Sequence, residues 1–119
     1  MTLKQKTGWF NQKNGAKFEL KVLNKMKKDK GVIASCRSSG SNGLVDVWVL
    51  KDTGQLRVAA CRNNGYFTRE ERRNLADFYL RKPKFTQLEF WWYRSPKRMK
   101  KKIIKSAEQI LNWRGRRFE

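Results

Sequence analysis

Asp46 is the residue on which any chemistry in this chain turns. It interrupts an otherwise apolar run, Leu44-Val45-Asp46-Val47-Trp48-Val49-Leu50, directly after the small polar stretch Ser38-Ser39-Gly40-Ser41-Asn42-Gly43. A carboxylate in such a strand is costly to bury unless a metal, a cation or hydrogen bonds compensate it. One cation stands where it can serve it: Arg62, which ends the next apolar run. The chain contains no histidine. Ser-His and Cys-His catalysis, histidine acid-base chemistry and histidine-ligated zinc are therefore excluded. What remains is carboxylate, lysine or arginine chemistry, with a hard metal ion held by oxygen.

The elements that must position these groups are legible in outline. Asn14 can cap a helix over 15–28 with Phe18, Val22, Leu23 and Met26 as its apolar stripe, and Gly31 ends it. Before it, residues 1–13 read as a basic arm whose Trp9-Phe10 pair docks on the core or stacks on a base. A strand over 32–36 leads through the polar turn to strands over 44–50 and 56–62. A three-residue loop, Asp52-Thr53-Gly54, with Gly54 left-handed, pairs Lys51 with Gln55 and Asp46 with Ala60. That register sets Ala60 and Arg62 on the same sheet face as Asp46; a two-residue loop sets them on the other. Thr68-Arg69-Glu70-Glu71 is a capping box opening a helix to about Tyr79, and 86–93 is an aromatic strand stopped by Pro96. A last helix is expected over 100–113, with Ile103, Ile104, Ala107, Ile110 and Leu111 apolar. The order α-β-β-β-α-β-α defines an α/β fold with a small mixed sheet flanked by helices. It divides into the arm 1–13, a core 14–95, and a basic C-terminal helix and tail 96–119 of the same domain.

The charge points outward. Against 29 Lys and Arg stand 10 Asp and Glu, a net charge of +19 on 119 residues. That excess implies a polyanionic partner, most often nucleic acid bound through its phosphates, with an anionic membrane surface as the weaker alternative. No stretch is apolar enough to span a membrane and no signal-peptide core is present, so a cytoplasmic protein is expected. Cys36 and Cys61 match no zinc spacing and are expected as buried thiols.

The series Gly15-(x2)-Phe18-Glu19, Arg37-Ser38-(x)-Gly40-Ser41, Asp46 and Ala60-(x)-Arg62-Asn63-Asn64-Gly65-Tyr66-(x)-Thr68-(x2)-Glu71 resembles the archaeal-type Holliday junction resolvases of the PD-(D/E)xK nuclease superfamily, over about residues 14–93. The resemblance implies a restriction-endonuclease-like sheet, magnesium held by Asp46 and Glu19, and a homodimer acting on four-way DNA junctions. It departs at two positions. Ala60 stands where the family has Glu or Gln beside the metal, and Arg62 stands where it has the catalytic lysine. Arginine can offset negative charge but is too weakly acidic to serve as a base, and here it can pair directly with Asp46.

The expectation is a nucleic-acid-binding protein of this fold, DNA before RNA, with metal-dependent cleavage weak or lost. The degenerate catalytic set is Glu19, Asp46 and Arg62. The phosphate contacts fall to Lys17 and Lys21, to Arg37, Ser39, Gly40 and Ser41, to Arg69, Arg72 and Arg73, and to Lys97, Arg98, Lys100, Lys101 and Lys102. Phe90, Trp91, Trp92 and Tyr93 offer a strand through which a homodimer or a partner protein can join. Two alternatives stand beside this reading. One is an active magnesium-dependent resolvase with an atypical or engineered site, in which Glu70 or Glu71 supplies a migrated carboxylate. The other is an RNA-binding structural component of a ribonucleoprotein.

Overall fold

The computed structural model describes residues 3–38, 44–95 and 98–114, with side chains described from residue 15 onward. Its elements are α1 (Leu3–Lys27), β1 (Val32–Arg37), β2 (Val47–Lys51), β3 (Leu56–Cys61), α2 (Arg69–Arg81), β4 (Thr86–Ser95), β5 (Arg98–Ile103) and α3 (Ala107–Leu111). The strands form one sheet in the order β1-β2-β3-β4-β5. Every neighbouring pair is antiparallel except β3 and β4, which are parallel and joined by the α2 crossover. Helices cover both faces, as the α/β reading requires.

Each face carries its own core. Phe18, Val22, Leu23 and Met26 of α1 bury against Val47, Val49, Ala59, Cys61 and Trp91. On the opposite face Leu75 and Ala76 of α2, with Ile110 and Trp113, bury against Val58, Ala60, Leu88, Phe90 and Trp92. The alternation of strand side chains explains why a continuous apolar run such as β3 supplies both cores. The hairpin closes as its turn demands: Gly54 has φ +90°, Lys51 N–H donates to the Gln55 carbonyl at 2.9 Å, and Val47 lies opposite Ala59. The capping box of α2 is present in both directions. The Thr68 hydroxyl accepts from Glu71 N–H at 3.1 Å, and the Glu71 carboxylate accepts from Thr68 N–H at 2.9 Å.

Three expectations need correction. The first helix does not start at Asn14 but runs from Leu3, so the arm is helical over most of its length. Its lysines, glutamines and leucine are good helix formers, and no proline precedes Pro83. The environment of Trp9 and Phe10 lies outside the described side chains.

Residues 98–103 form β5 rather than the start of a helix, and only Ala107–Leu111 are α-helical. The physical reason is β4. Its outer edge presents backbone donors and acceptors that need partners, and β5 supplies them in register, Met99 opposite Tyr93 and Lys101 opposite Trp91. The observed order is therefore α-β-β-β-α-β-β-α.

Cys36 is exposed, because it sits on the edge strand β1, whereas Cys61 is buried. The aromatic strand is also internal. Phe90, Trp91 and Trp92 are buried within this chain, and Tyr93 is half-buried. Among the described residues no helix is long and apolar enough to cross a membrane.

Candidate functional site

Asp46 sits where the sheet ends and both helical layers converge. Its backbone N–H donates to the Ala59 carbonyl at 2.8 Å, one residue out of the hairpin register, and its carbonyl accepts from Ser38 N–H at 2.8 Å. Its carboxylate Oδ2 accepts from Cys61 N–H at 2.7 Å and from Arg62 Nη1 at 3.1 Å. Arg62 donates further to the Cys61 carbonyl at 2.7 Å and, through Nη2, to Glu71 Oε2. The guanidinium also lies 5.0 Å from the centre of the Phe67 ring. On the α1 side, Glu19 Oε1 accepts from Arg37 Nη1 at 3.3 Å. Sheet end, α1 and the start of α2 thus bring three carboxylates and two guanidinium groups into one cluster.

The charges in it are not equivalent. Burial pushes Asp46 above its ordinary value, and the Cys61 N–H and Arg62 only partly offset this. Burial and the neighbouring Asp46 together raise Glu19 against the pull of Arg37. Burial also acts on Glu71, but hydrogen bonds from Arg62 and Thr68 outweigh it and hold that carboxyl low. The Cys61 thiol is pushed well above its usual range, by burial first and then by Asp46 and Glu19.

Magnesium would be held here by Asp46 and Glu19, each already bonded within the chain. It needs several oxygen ligands in octahedral array, yet the Asp46 oxygen in question is already engaged by a backbone N–H and by a permanent cation. The same cation engages Glu71. Among the described residues no group of three or more acidic, cysteine or histidine side chains is arranged to hold a metal ion.

The face assignment of the neighbours also changes. Ala60 does not look toward the cluster but is wholly buried in the core under α2 and α3, while Ala59 and Cys61 face α1. None of these three positions carries a carboxylate or a lysine.

The other expected contacts are scattered around this centre. Lys17, Lys21, Arg69 and Arg73 are exposed, as are Arg98, Lys101 and Lys102, with Lys100 half-buried. Lys21 lies over the Tyr93 ring, Nζ 5.6 Å from its centre. Arg37 is held by Glu19. Arg72 donates to the carbonyls of Leu111 at 3.0 Å and Trp113 at 3.3 Å, tying α2 to the end of α3. Ser39, Gly40, Ser41 and Lys97 lie outside the described residues.

A second buried network escaped the sequence reading. Arg57 of β3 grips Glu89 of β4, Nε to Oε2 at 2.6 Å and Nη2 to Oε1 at 2.8 Å, and reaches Asp29 at 3.0 Å. Glu89 also accepts from Gln87 and from Trp91 Nε1. The signal that singled out Asp46, a carboxylate within an apolar strand, applies equally to Glu89.

Set against known proteins, the chain matches no family model, no curated protein and no solved structure.

Proposed function

We propose that this chain is a nucleic-acid-binding protein on a resolvase-like nuclease framework, in which an arginine-carboxylate cluster takes the place of the cleavage centre. The observation that carries the reading is the position of Arg62, bonded to Asp46 and Glu71 at once. Asp46 is paired with Arg62 and Glu19 with Arg37, while the net charge of +19 remains directed at an outside polyanion. The antiparallel β1-β2-β3 hairpins, the α2 crossover and the parallel β4 support the framework. Exposed cations on α1, α2 and β5 support binding by phosphate contacts, DNA before RNA.

The test is a labelled four-way DNA junction beside linear duplex and single strand, with magnesium and separately with manganese. Binding that weakens steeply with salt, without nicking in either metal, is expected. Symmetric nicks would make the chain a working resolvase with an unusual site. Failure to bind any of the three probes, or a clear preference for RNA over them, would overturn the DNA reading.

A further inference from the structure

The α1 helix covers only part of its sheet face. It packs on β1, β2 and β3, and beyond it lies a groove of about 620 Å³ between the C-terminal half of α1 and β5. Two segments far apart in sequence meet across it: Lys25 of the helix with Lys28 just past its end, and Lys101 of the strand. Its floor is Trp91 and Met99. The Lys101 ammonium stands 5.5 Å from the centre of the Trp91 ring, so the indole carries a cation and its own N–H is turned to Glu89.

Charge decides what can lie there. The acidic group at the groove, Asp29, is already held by Lys51 at 3.2 Å and Arg57 at 3.0 Å. Arg57 in turn is bound to buried Glu89. Among the described residues, none of Lys25, Lys28 and Lys101 forms a salt bridge, although Lys101 stands near enough to buried Glu89 to help hold that carboxyl low. The groove is therefore a trough with an apolar floor and ammonium groups outside any salt bridge on both banks. Lysine serves phosphate as a mobile point charge, without the fixed fork of arginine. A trough of this kind suits a sugar-phosphate backbone, read by charge and not by base.

We infer that the groove between α1 and β5 is the channel in which one nucleic-acid strand lies, its phosphates on Lys25, Lys28 and Lys101. This rests on the nucleic-acid reading above. It goes further by assigning the contact to one side of one sheet face, away from the other basic surfaces, α2 included.

The experiment compares two triple variants of the full chain that remove equal charge. One is Lys25→Ala/Lys28→Ala/Lys101→Ala. The other is Lys82→Ala/Lys84→Ala/Lys105→Ala, around a separate recess. Affinity for a labelled DNA strand is measured by anisotropy over a range of salt, and both variants are checked by thermal melting. The groove variant should lower the salt slope by about two and the affinity at least ~10-fold more than its counterpart, since each lost phosphate contact removes about 0.7–0.9 from the slope. Equal losses in the two variants would overturn the groove while leaving the nucleic-acid reading standing. No binding by the unaltered chain would bring down both. Polyglutamate serves as a competitor; if the groove variant loses polyglutamate binding but keeps the DNA strand, the groove belongs to an acidic peptide and the inference fails. Should the triple variant melt early, Lys25→Ala and Lys101→Ala singly give the same comparison.

Discussion

Arg57 and Glu89 lie two residues out of register on neighbouring parallel strands, joined by two parallel hydrogen bonds of 2.6 and 2.8 Å, and the Glu89 side chain has no exposure at all. Arg57→Met should therefore cost about 3–5 kcal/mol, the usual result of leaving one buried charge alone. The double change Arg57→Met/Glu89→Gln should cost less than the single, because Gln keeps an acceptor for Trp91 Nε1 without the charge. Guanidinium unfolding of the three proteins checks this. A double variant less stable than the single would show that the pair contributes net stability.

The carboxyls of the Arg62 cluster give a pH signature. Asp46 and Glu19 have folded values above their ordinary 3.8 and 4.5, so the folded state binds their protons more tightly than the unfolded state does. Stability from these two groups then falls as pH rises through the raised values, and is regained on acidification. Glu89, with hydrogen bonds from Arg57 outweighing its burial, is held low and acts in the opposite sense, losing stability as pH drops below 4.5. Relative to Asp46→Asn, the unaltered chain should gain stability as pH falls from neutral toward about 5, followed by chemical denaturation at each pH. A constant difference between the two proteins would remove Asp46 as the source.

The two cysteines should separate cleanly. Cys36 is exposed, while the Cys61 thiol is buried and its ionisation suppressed by burial, Asp46 and Glu19. The thiolate is the reactive form. An aromatic disulfide reagent should label Cys36 in the folded protein and reach Cys61 only after denaturation. Equal labelling of both in the native state would contradict the packing of β3 against α1.

Gly65 has φ +73°, and a Cβ placed there would come within 3.2 Å of Trp92 Cγ. Its carbonyl also accepts from Trp113 Nε1 at 2.8 Å. Gly65→Ala should cost about 1–3 kcal/mol from the strained backbone and the crowded indole. It should also shift tryptophan fluorescence, since both indoles pack at this turn. A stable variant with unchanged emission would count against the turn as described.

Local signals carried most of the fold. The Gly54 turn set the β2-β3 register, the capping box placed α2, and the stripe from Phe18 to Met26 placed α1 on its sheet. What failed was non-local. Residues 98–103 have no strand signature of their own and become β5 because β4 has an edge to satisfy. Asp46 and Arg62 were legible as partners. The face occupied by Ala60 was not, since Asp46 N–H bonds one residue off the hairpin register. The Arg57-Glu89 pair needed the parallel pairing of strands 32 residues apart, which no local pattern encodes.

The two outer strands of this open sheet meet the hazard of self-pairing by different devices. An uncovered strand edge is a template for another copy of the chain, and natural sheets blunt it with charge or with a bulge. At one side β5 carries Lys100, Lys101 and Lys102 in succession. At the other, β1 breaks register between Val32 and Ala34, turning out Ile33 at 66% exposure. The first protection is conditional in a way the second is not. Lysines neutralised by a bound polyanion no longer repel a neighbouring edge, so crowding of chains along a ligand would bring aggregation pressure to β5 while β1 stays guarded by its shape.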